Sequence, residues 1–149
     1  MLVPIEKTIT ENIIFDSPMK LAQAVLYGVT TDGGMVELGR SPDVYELLET
    51  CEFPENDNII GIAVHTTGWA APLNPETGET DGRPSEHAER RRAVLVVTLT
   101  FNGFCSATKF ATQRRGFVLE ETNFHDTTAS GEIWDAMNVC IEKLRQVKI

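Results

Sequence analysis

The sequence is poor in the features that usually make a function readable. Its three cysteines, Cys51, Cys105 and Cys140, are odd in number and far apart, with no CxxC and no Cys/His cluster. That argues against a disulfide framework or a zinc site and reads each cysteine as a small apolar residue of the core. Long hydrophobic runs are missing too. The longest, Ala93 to Leu99, is interrupted by Thr98 and is far too short to cross a bilayer. The N-terminus lacks the basic patch and apolar stretch of a signal peptide, because Glu6, Lys7 and Glu11 break up Met1 to Phe15. These absences lead us to expect a cytoplasmic protein without membrane contact. No repeat, low-complexity tract, catalytic motif or cofactor motif stands out, so no cofactor is expected.

Positive charge is scarce as well, and unevenly spread. Residues 1–89 carry 16 acidic and 4 basic side chains, a net of −12, whereas residues 90–149 carry 6 acidic and 9 basic, a net of +3. The total of −9 disfavours direct nucleic-acid binding, since phosphates need compensating cations. A basic protein surface is the partner that such a field attracts.

The residues present suffice for one folded domain. The chain has 149 residues, 42% of them hydrophobic, enough for a single core and too few for two domains of ordinary size. Ser17-Pro18 and Ser41-Pro42 each offer a side-chain oxygen at an N-cap and a preset φ at the first helical position. After the second, Val44, Leu47, Leu48 and Cys51 follow helical spacing, predicting a helix from Pro42 to Cys51. Behind the first, Leu21, Ala24, Val25 and Gly28 predict a shorter helix, and Ile9 to Phe15 reads as a strand. Met35 to Leu38 reads as a brief strand and Asn58 to Thr67 as a buried one. Ala93 to Phe101 is a strand that meets Asn102-Gly103, a pair suited to a tight hairpin, so that Phe101 faces Phe104. Phe104 to Thr112 and Phe117 to Glu121 continue a meander. A last helix, capped by Ser130, lines up Ile133, Met137, Cys140, Ile141 and Leu144. The fold class is α+β: an antiparallel sheet of four or more strands, covered on one face by two or three helices.

One stretch fits no period. From Trp69 to Arg92 the chain is rich in proline, glycine, threonine and acids, and loops of this length in a small domain tend to carry function. Trp69 opens it and Arg90, Arg91 and Arg92 close it, residue types that anchor interfaces. Four chemistries can be weighed against it. His87-Ala88-Glu89 matches the first half of a zinc deaminase signature, but no PCxxC follows to complete the metal shell. Asn74, Glu76, Glu79 and Asp81 offer oxygen ligands near Gly82. Counting Gly82 as the sixth position of an EF-hand puts Thr77 first and Ala88 last, where acids are required. A JAMM-type metalloprotease needs two closely spaced histidines, and His65-Thr66-Thr67 supplies one. With only His65, His87 and His125 in the chain, a histidine site needs all three to converge. Nucleophilic catalysis would need Cys105 or Ser106 brought beside His125-Asp126, which nothing in the spacing requires.

GWAAP at Gly68 to Pro72, followed by RPSEHAERRRAVLVV at Arg83 to Val97, resembles a segment of uncharacterised proteins from actinobacteria and their phages. The likeness covers about residues 58–101. It implies no reaction and no catalytic residue, and it suggests a phage or actinobacterial setting in which Trp69, Ser85, His87, Arg91 and Arg92 matter.

The resulting expectation is a non-enzymatic protein-interaction module. Its binding residues are Trp69, Ser85, His87, Arg90, Arg91 and Arg92, with no metal, and an open strand edge leaves room for a homodimer. The alternative is a small-ligand or metal-dependent enzyme with a pocket near His65 and His87.

Overall fold

Isoleucines recur every fourth residue at Ile5, Ile9 and Ile13, with Thr10 and Ile14 beside them on the same helical face. The computed structural model describes residues 3–19, 21–54, 58–70, 76, 91–114, 117–125 and 132–148. In it these isoleucines lie on helix α1 (Ile5–Asp16), which buries Ile9, Thr10, Ile13 and Ile14. The segment expected to be a strand is therefore a helix: β-branched side chains weigh against it, but burial of one face outweighs propensity. Ser17-Pro18 ends this helix instead of starting another. Ser17 precedes a proline and is extended, with φ −72° and ψ 133°, and its N–H closes the last turn on the Ile14 carbonyl. The chain then enters strand β1 (Ala24–Thr30), not the expected second helix. Ala24, Val25, Leu26 and Val29 are all buried there, a run with both faces covered that mimicked helical spacing.

β1 turns through Thr31–Gly34 into β2 (Met35–Ser41), with Gly33 at φ +85°. Helix α2 (Val44–Thr50) then starts two residues later than Ser41-Pro42 suggested. Asp43 is its N-cap, accepting from the Tyr45 and Glu46 N–H groups at 2.9 and 3.4 Å. The remaining strands are β3 (Ile59–Ala70), β4 (Arg91–Thr100), β5 (Phe104–Arg114) and β6 (Phe117–His125), and α3 (Glu132–Lys148) closes the chain. The six strands form one open antiparallel sheet in the order β2-β1-β3-β4-β5-β6, with β2 and β6 at its edges. The β4–β5 hairpin forms with its turn one residue earlier than Asn102-Gly103 predicts. Leu99 pairs with Phe104, and Thr100 N–H donates to Gly103 O at 2.8 Å. The Thr100 hydroxyl accepts from Asn102 N–H at 3.1 Å, and Phe101 N–H donates to Ile60 O. Phe101 is thus tied to β3, not set across from Phe104.

Helices cover both faces of the sheet, correcting the single covered face expected. α2 and α3 pack Leu47, Leu48, Met137, Ile141 and Leu144 against Leu26, Ile62, Val64, Val97 and Leu99. On the opposite face α1 packs Ile9, Ile13 and Ile14 against Val29, Ala63, Val94 and Val96. Neighbouring positions in β3 and β4 thus enter different cores, which is why those strands are apolar without alternation.

Candidate functional site

β3 and β4 stay paired to the last residue of β3 and the first of β4. Trp69 lies opposite Arg92 and Ala70 opposite Arg91. Three of the six expected binding residues are therefore backbone neighbours on adjacent strands, and Arg92 is half-buried. Ser85, His87 and Arg90 lie outside the described residues.

Beneath this end, on the face of α2 and α3, is a recess of about 340 Å3. Thr66, Gly68, Ala93, Leu95 and Thr108 form its floor from three strands. Val44 and Tyr45 of α2 and Ile133 of α3 form its walls. A Cβ built on Gly68 meets nothing within 4 Å, so the floor is open above that residue. Among the described residues the lining is apolar apart from hydroxyls and backbone, with no acid, base or thiol. Asp43 and Glu46, on either side of the wall residues Val44 and Tyr45, are exposed, so the recess has an acidic flank.

The other face at this end holds a buried polar cluster. Ser17 Oγ and His65 Nε2 are 2.7 Å apart. Lys109 Nζ donates to the Ser17 carbonyl at 2.9 Å and lies 3.4 Å from Glu120 Oε2. A serine and a histidine at this distance invite a nucleophile–base reading. Burial argues otherwise. The Ser17 hydroxyl also lies 2.9 Å from Pro18 O, and the tautomer of His65 sets which way the Ser17–His65 hydrogen bond runs. Ser17 and His65 are 6% and 7% exposed, which keeps a substrate out. Burial lowers the His65 pKa from 6.5 to about 4, so the ring is neutral near pH 7. The cluster ties the end of α1 to β3 and β5.

The other candidates separate. His65 on β3 and the His125 backbone on β6 have two strands between them, roughly 14 Å of sheet. His125 does lie opposite Ser106, the juxtaposition a Ser–His site would need, but Ser106 is only 5% exposed. Among the described residues, no group of three or more His, Cys, Asp or Glu side chains could hold a metal ion, and no helix is long and apolar enough to cross a membrane. No family model, no curated protein and no solved structure matches the chain.

Two features of this region are hidden from the sequence. The recess draws on α2, three strands and α3, remote segments whose convergence depends on strand order. Lys109 reads as a solvated charge, yet it is 6% exposed. Its only sequence signal is its position in β5, in step with buried Ala107.

Proposed function

We propose that the chain is a protein-interaction module whose contact surface is the Trp69–Arg92 end of the sheet. One observation carries this reading: an open, largely apolar recess lies at the base of the strand pair that sets Trp69 opposite Arg92. A partner side chain, aromatic or branched, would fill the recess. Basic groups beside it would meet Asp43 and Glu46, while Arg90, Arg91 and Arg92 would take carboxylates. The hydroxyl-lined floor favours binding over catalysis, because general acid–base or nucleophilic chemistry needs a titratable or activated group where the ligand sits. The resemblance to actinobacterial and phage proteins makes a cytoplasmic host or phage protein the partner to seek.

Affinity capture from nuclease-treated native cytoplasm tests this. Wild type should retain one stoichiometric protein. A folded variant with Trp69, Arg90, Arg91 and Arg92 replaced by alanine should lose it. Equal retention by both would remove this surface from the account, and no partner with either would favour a small ligand in the recess.

A further inference from the structure

The two buried cysteines of the α2–α3 core are far apart in sequence and meet in the fold. Cys51 caps the C-terminus of α2 and is 7% exposed; Cys140 lies within α3 and is 1% exposed. Both belong to the same core cluster and both are free thiols. Lys143, one turn beyond Cys140, donates from Nζ to the Cys51 carbonyl at 2.9 Å, joining α3 to the end of α2 beside the Cys51 sulfur. A groove of about 650 Å3 runs between the two helices, with Leu48 and Glu49 on one side and Cys140 and Lys143 on the other. The groove gives a small oxidant a route to Cys140.

We propose that Cys51 and Cys140 form a reversible disulfide site, oxidised by a peroxide and reduced by a dithiol. The thiols are not equivalent. Hydrogen bonding with Cys140, followed by the Lys143 charge, draws the Cys51 thiol below its ordinary pKa against the effect of burial. The same contact, with burial, pushes Cys140 up. The two thiols share a proton and act as a pair. One sulfur of the pair, as thiolate, takes one oxygen of the peroxide as the O–O bond breaks, giving a sulfenic acid; the other oxygen leaves as hydroxide and is protonated. The second sulfur then displaces hydroxyl from the first. The S–S bond forms and the S–O bond breaks, and the remaining thiol proton leaves with the hydroxyl as water. The product pins α2 to α3 and closes a long loop, which stabilises the folded chain. Cys105 lies on β5 near α1, outside the core cluster of Cys51 and Cys140, and burial pushes its thiol up, so it stays outside this chemistry. The proposal holds whatever occupies the recess.

The test uses native wild type and a Cys105→Ser variant, each treated with a small molar excess of hydrogen peroxide, alkylated, digested without reductant and mapped by mass. The expected result in both is one cross-linked peptide pair joining Cys51 to Cys140. Two thiols are lost, the thermal midpoint rises by several degrees, and dithiothreitol reverses the change. Unmodified Cys51 and Cys140, sulfinic acid at Cys51 without a cross-link, or a disulfide that includes Cys105 would each overturn it.

Discussion

Replacing Gly61 with alanine will cost the fold about 3 kcal/mol, lowering the thermal midpoint by about 10 °C. Gly61 pairs with Thr100 in the central β3–β4 ladder. A Cβ there would stand 2.3 Å from Leu99 O and 2.6 Å from Thr100 Cα. Both are backbone atoms in a central strand pair, so no rotamer change relieves the clash. Either the strands separate or the hydrogen bond from Phe101 N–H to Ile60 O breaks, and with it the start of the β4–β5 turn. Gly28→Ala provides the contrast. Its added methyl would meet Ile59 Cδ1 at 3.0 Å, the end of a flexible side chain that can shift, and the cost should be much smaller. Equal midpoints for wild type and Gly61→Ala would contradict this account of the β3–β4 contact.

The second large effect is a loss of stability in mild acid that traces to His65. Its pKa in the folded chain is about 4, against 6.5 when unperturbed. Below pH 6.5 the unfolded chain takes up a proton that the native state refuses, so the His65 contribution falls with pH down to about 4 and no further. The lowered group is a histidine, so the loss lies on the acid side of neutrality. Allowing for residual solvent contact, the loss is about 2 kcal/mol. Urea unfolding of wild type and His65→Gln at pH 7.5, 6, 5 and 4 checks it. Glutamine can still hydrogen-bond with Ser17 Oγ without titrating, so the variant should show a flatter decline over this window. Parallel curves would mean that other groups set the acid response.

Much of the fold was legible because single segments carried it. The runs of β3 and β4, the meander into β5 and β6, and the apolar face of α3 each announce themselves over a few residues. The N-terminal third misled because one dipeptide, Ser17-Pro18, serves equally to open a helix or to stop one. The four-residue recurrence of isoleucine ahead of it was the better guide. The unbroken apolar character of Ala93 to Val97 already implied cover on both faces of the sheet, and therefore a helix on each. The site was legible only in part. Trp69, Arg91 and Arg92 could be singled out by residue type, but the recess depends on Val44, Leu95, Thr108 and Ile133 meeting across the fold. Likewise Ser17, His65 and Lys109 come from α1's end, β3 and β5, and no local pattern links them.

The recess at the base of the Trp69–Arg92 strand pair is the seat proposed for a partner's side chain. Gly68→Leu tests that claim directly, because a side chain at that position has open space to fill and needs no unusual φ. Burying one apolar side chain is worth about 1.5–3 kcal/mol, so blocking its seat should weaken binding at least tenfold. The measurement is calorimetric titration of the captured partner into wild type and Gly68→Leu, with the thermal midpoint of each recorded. The expected result is at least tenfold weaker binding by a variant as stable as wild type; unchanged affinity with the recess filled would contradict it.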